Sequence, residues 1–151
     1  MNIGDRVVAT LLAQLEGRWE EHERLLNSLG KEEADIGLGT LTQAAFFEAA
    51  RRRFLKDGKP ATDAEVVDFV ATTREIGPEV ADKIDPGIAE RLINFTLGKL
   101  PMEANQDIDA NVAFPIESLL LIKLIRDADY DTTELTEFIQ RSKEIAEESF
   151  S

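Results

Sequence analysis

The chain has 151 residues, no cysteine and a net charge of −13, from 30 carboxylates against 17 lysines and arginines. The missing cysteines exclude disulfides, thiolate nucleophiles and cysteine-based zinc sites, and the negative field argues against direct contact with a nucleic-acid backbone. With 43% apolar residues the composition is that of a globular protein, and the length suits one domain with its own core.

From Ile3 to Leu29 the pattern is helical and contains no proline. Val8, Leu12, Leu15, Trp19, His22, Leu26 and Leu29 alternate steps of four and three, a seam that repeats every seven residues. One long helix over residues 1–30 is therefore expected, roughly 40 Å in length. That exceeds what a compact bundle of this size requires, so the seam is a candidate surface for self-association, with Trp19 as its largest anchor. This stretch lacks a basic segment followed by a continuous apolar block, and no run in the chain approaches the ~20 apolar residues of a membrane span. A cytoplasmic location without membrane contact is the expectation.

Gly30 suits a helix C-terminus, and residues 31–39 read as a polar linker. Its Gly37-Leu38-Gly39 does not extend into a phosphate-binding fingerprint, because position 42 is threonine and no strand precedes it. Thr40 is a plausible cap for a helix reaching Asp57, with Leu41, Ala44, Phe47, Ala50, Phe54 and Leu55 inward. Asp57-Gly58-Lys59-Pro60 ends it. Thr62-x-x-Glu65 is a capping box for the next helix, which turns Val66, Phe69, Val70, Thr73 and Ile76 inward before Gly77-Pro78 stops it. A helical turn over residues 79–84 is followed by Asp85-Pro86-Gly87, which opens a helix carrying Ile88, Leu92, Phe95 and Leu97 to Gly98.

Residues 102–112 read as a loop. Phe114-Pro115 then opens the most apolar element, where Ile116, Leu119, Leu120, Leu121, Leu124 and Ile125 cover most of the circumference. Such a helix has to be surrounded by others. Asp131-x-x-Glu134 caps the last helix, with Leu135, Phe138, Ile139, Ser142 and Ile145 inward. No segment alternates like a half-buried strand. The expected fold is an all-α single-domain bundle of five to six helices: a long N-terminal helix, a helical hairpin over 40–76, a connection with one helix over 77–113, and a second hairpin over 114–146.

Residues 62–76 and 131–145 align without gaps. Glu65/Glu134, Phe69/Phe138, Glu75/Glu144 and Ile76/Ile145 are identical, and inward positions fall on inward positions. The two hairpins are thus candidates for an internal duplication with pseudo-twofold packing.

Residues able to carry chemistry are sparse. His22 is the only histidine and has no Glu-x-x-His partner, so neither a catalytic triad nor an imidazole-rich metal site can be assembled. Asp127-x-Asp129-x-Asp131 has the opening spacing of a calcium loop, but Thr132 stands where glycine is needed and Phe138 where the bidentate glutamate belongs. Asn105-x-Asp107-x-Asp109 fails in the same way. Arg51-Arg52-Arg53 is the one basic run, spread around a helix and within reach of Glu48.

Without a phosphate loop, a nucleophile elbow or a dinucleotide fingerprint, no catalytic activity and no cofactor are expected. The reading is a non-catalytic protein–protein interaction module whose contact residues are Val8, Leu12, Leu15, Trp19, His22 and Leu26, with Arg51 and Arg52 as a second point. It leaves room for a homodimer through the first helix. One alternative is an acidic inhibitor, antitoxin-like or nucleic-acid-mimicking, that covers a basic site with the −6 segment after Arg126. Another is a divalent-ion protein using Asp127, Asp129 and Asp131.

Overall fold

A computed structural model describes residues 2–149. Eight α-helices, one π-helical turn, one 3-10 turn and one two-stranded hairpin make up the regular structure of these residues, so the class is all-α, with more helices than the five to six expected. The chain forms two compact units, one from residues 2–45 with 129–149 and the other from residues 46–128. The expected hairpins over 40–76 and 114–146 therefore each run across the division.

In the first unit the long N-terminal helix is replaced by two: α1 (Asp5–Leu15) and α2 (Trp19–Ser28). The break is at Gly17, whose φ of 75° is costly for any residue with a Cβ. Gly17 N–H donates to Gln14 O and Arg18 N–H to Ala13 O, which is a Schellman close of α1. Glycine as a helix terminator outweighed the heptad seam. The two helices fold back antiparallel, since His22 meets Thr10 and Arg6 meets Ser28. The inward face of α1 is also shifted by one position from the expected seam: Val7, Thr10, Leu11 and Ala13 are buried, while Val8, Leu12 and Leu15 are half-buried. Thr10 satisfies its buried hydroxyl by donating to Arg6 O at 2.6 Å.

The expected linker over 31–39 is helical. A π-turn, Glu33–Gly37, leads directly into α3 (Leu38–Phe54). Gly37 packs against α1, where a Cβ would reach Val7 Cγ2 at 3.5 Å, an ordinary packing distance. Within α3, Leu41, Ala44, Ala50 and Phe54 are buried as expected, but Phe46 rather than Phe47 takes the inward aromatic position. The last helix, α8 (Thr132–Ser149), is capped reciprocally: Glu134 N–H donates to Asp131 Oδ1 and Asp131 N–H to Glu134 Oε1. Its far end binds the start of the unit, where Ile3 N–H donates to Glu147 Oε2 at 2.9 Å.

The second unit begins within α3. Asp57-Gly58 does more than stop that helix. With φ of 52° and 77° these residues make the primed turn of a minimal hairpin, β1 (Leu55–Lys56) antiparallel to β2 (Lys59–Pro60). Helix α4 (Asp63–Arg74) follows, with Thr62 Oγ1 accepting from Glu65 N–H. Val66, Phe69, Val70 and Thr73 are buried as expected; Ile76 lies past the helix end and is 52% exposed. The short α5 (Pro78–Lys83) leads to α6 (Pro86–Thr96), capped by Asp85 and closed by Gly98 in a second Schellman arrangement.

Helix α7 spans Ala110–Ala128 and contains Pro115, so the helix starts five residues before the expected junction. Pro115 is the sixth helical residue and cannot donate to the Asn111 carbonyl, so one bond is lost in the second turn. Here the preceding turn is held by Asp109, whose carboxylate accepts from Asn111 N–H at 2.7 Å and whose carbonyl accepts from Val112 and Ala113 N–H. From Ile116 on, Leu120, Leu121, Leu124 and Ile125 are buried, with Leu119 half-buried.

The aligned helices keep their register. Val66, Phe69, Val70 and Thr73 of α4 are buried, as are Leu135, Phe138, Ile139 and Ser142 of α8. Thr73 Oγ1 donates to Phe69 O and Ser142 Oγ to Phe138 O, the same back-bond at the same place. Their lead-ins differ: α4 is reached through the β-hairpin, whereas three residues, 129–131, separate α7 from α8.

Candidate interaction surface

None of the ten residues of α2 is buried, although the helix carries Trp19, Leu25 and Leu26. Its sequence, WEEHERLLNS, explains the placement. His22 and Leu25 lie on one side and are half-buried, whereas Trp19 and Leu26 lie off that side, 51% and 37% exposed. The inner side is pinned by a polar contact, His22 Nδ1–H donating to Thr10 O at 2.9 Å. Trp19 packs edge-on against the same imidazole at 6.4 Å between ring centres. Arg6 donates to the Ser28 carbonyl at the C-terminal end of α2 and so complements its dipole. Glu20, Glu21 and Glu23 follow the tryptophan along α2, with Glu23 one turn on from it. Glu21 is held below the usual carboxylate range, chiefly by its hydrogen bonds with Arg24, whose own pKa is raised by the same contact.

Of the seam residues, then, Trp19 and Leu26 are outward on α2, His22 is a brace, and Val8, Leu12 and Leu15 sit half-buried on α1. The continuous rod that would have shared this seam with another copy does not exist.

The three consecutive arginines go to three different uses. Arg51 donates to Thr96 O at the end of α6 at 2.9 Å and lies over Phe47. Arg52 donates to Glu48 at 2.7 Å. Arg53 reaches Asp127 at 3.3 Å and lies over Phe54 and Phe69. They do not form one basic patch. Asp127, Asp129 and Asp131 are also divided. Asp127 accepts from Lys123 as well as Arg53, Asp129 sits at φ 52° after α7, and Asp131 caps α8. Among the described residues no group of three or more histidines and carboxylates is placed to hold a metal ion.

One residue outside the sequence reading stands out. Glu117 of α7 is 7% exposed, and burial raises its carboxyl from 4.5 to about 7. Among the described residues it has no ion-pair partner and no hydrogen bond. A signal was available: a helix apolar on nearly every side, with Ile116, Leu120, Leu121 and Leu124 around position 117, has little polar face left for a glutamate.

Among the described residues no helix is long and apolar enough to cross a membrane. Comparison with protein-family models, with curated proteins and with solved structures finds no match to this chain.

Proposed function

We propose that this protein is a non-catalytic interaction module that binds a basic, amphipathic segment of a partner protein on the outer face of α2. The observation that carries the reading is Trp19, half-exposed on a helix that buries none of its own residues. An exposed tryptophan two turns from an exposed leucine on the same helix is the kind of anchor that interface cores favour. The acidic flank of Glu20, Glu21 and Glu23, within a chain of net charge −13, selects for a positive partner and disfavours a second copy of itself. The single imidazole supports a structural role, because its Nδ1–H is engaged to a backbone carbonyl. A cytoplasmic setting belongs to the same proposal.

The probe is a synthetic helical peptide with leucine on one face and lysine on the other, titrated calorimetrically at low and moderate salt. Binding that weakens with salt and is lost in Trp19→Ala supports the reading. Binding unchanged by Trp19→Ala, or no binding at all, contradicts it. Sedimentation at the same concentrations provides a further check, since self-association abolished by Trp19→Ala would replace the basic partner with a second copy.

A further inference from the structure

A cleft of about 200 Å³ in the second unit is lined by Arg53, Phe54, Glu65, Asp68, Phe69, Thr72 and Asp127. Its aromatic side is a fixed edge-to-face pair, Phe54 and Phe69, 5.3 Å apart and inclined at 79°. Both phenylalanines are buried, so this shelf is part of the core and does not depend on a mobile side chain. The Arg53 guanidinium lies 5.5 Å from one ring centre and 5.7 Å from the other. It is held at the far side by one 3.3 Å contact to Asp127, whose other oxygen already accepts from Lys123 at 2.7 Å.

Three carboxylates, Glu65, Asp68 and Asp127, thus line a cleft whose cations are Arg53 and the Lys123 ammonium on Asp127. Among the described residues the Glu65 and Asp68 side chains have no ion-pair partner. An aromatic shelf with surplus negative charge is what a cationic side chain requires, and Arg53 shows a cation seated there. Its own hold is weak, because the Asp127 contact is shared and its side chain is 46% exposed.

We propose that this cleft receives the guanidinium of an arginine from a basic partner segment, and that Arg53 is the resident competitor that leaves when the partner's arginine arrives. The cleft shares no residue with the α2 face. A single arginine tests it without the apolar half of a helix, so failure here leaves the α2 reading standing.

The experiment titrates N-acetyl-arginine amide into the full chain, following the Phe54 and Phe69 ring resonances and the Thr72 amide. Wild type is expected to show a weak saturable shift. Arg53→Ala is expected to bind about fivefold tighter, the scale of one exposed cation contact. Glu65→Gln combined with Asp68→Asn is expected to lose the shift while Arg53 stays in place. Equal or weaker binding by a folded Arg53→Ala, or full binding by the carboxylate double variant, would overturn the proposal. If Arg53→Ala does not fold, the double variant decides the matter alone, through loss or retention of the wild-type shift.

Discussion

Helices α2 and α7 depart from simple hydrophobic patterning in opposite directions. On α2 a tryptophan and a leucine remain outside, beside glutamates, and no residue is buried. On α7 a glutamate is carried inside among leucines and isoleucines. In α7 the surrounding apolar side chains dictate burial, and the misplaced residue is the acid, whose burial has an energetic cost. In α2 the chain has little apolar surface to bury, and the helix is held by a polar brace from His22 to Thr10 and an arginine at its end. The contrast separates a helix that supports the fold from one that the fold presents. It also predicts where opening is easiest, because an element without buried residues belongs to the low-stability end of a structure.

The largest expected effect is on the α7 side of the contrast. Leu120→Ala, at a fully buried position, should destabilise by about 2–5 kcal/mol in a denaturant melt. Leu26→Ala on α2 should stay within about 0.5 kcal/mol, and equal costs for the two would break the distinction.

Glu117→Gln comes next and depends on pH. A carboxyl at 4.5 when unfolded and about 7 when folded binds more protons in the folded state between those values. Stability from this group is therefore fully present below about pH 4.5 and is lost as pH rises through about 7. The glutamine variant should match wild type near pH 4 and exceed it at pH 8, by up to about 3 kcal/mol. Thermal melts across that range check it, and a constant difference at all pH values would remove the ionisation argument.

Gly17→Ala should cost about 1–2 kcal/mol, because its φ of 75° strains any Cβ. No atom stands within 4 Å of that Cβ, so the cost is conformational and not a clash. A melt showing stabilisation instead would mean that α1 and α2 can join into one rod. The smallest effect is that of Trp19→Ala on the free protein, expected within about 0.5 kcal/mol while partner binding is lost.

What was legible in the sequence follows the same division. Caps and most inward positions of α4 and α8 were readable because Thr62, Asp131 and the phenylalanines follow local rules that packing did not contradict, whereas Ile76 is exposed past the end of α4 and Ile145 is half-buried beside the buried Ala146. The unbroken first helix was misread because heptad spacing continues across Gly17, and only the left-handed backbone at that residue reveals the turn. Residues 31–39 read as a linker because Gly37 and Gly39 are poor helix formers, yet the segment continues directly into α3 and is helical. Asp57-Gly58 carried a hairpin signal that was hidden by the absence of long strands around it. As for the candidate sites, Trp19 could be named from sequence, but its exposure could not, since that depends on which way α2 folds back. The arginine cleft was out of reach, because Arg53 and Asp127 are 74 residues apart.

The most direct test of the central claim uses the protein's one tryptophan as its own reporter. Trp19 emission and its quenching by acrylamide would be measured in the free protein and with the leucine–lysine peptide. The account predicts red-shifted, readily quenched emission when free, and a saturable blue shift with protection from quenching on binding. Blue-shifted, protected emission in the free protein at low concentration, or emission unchanged by peptide, would contradict it.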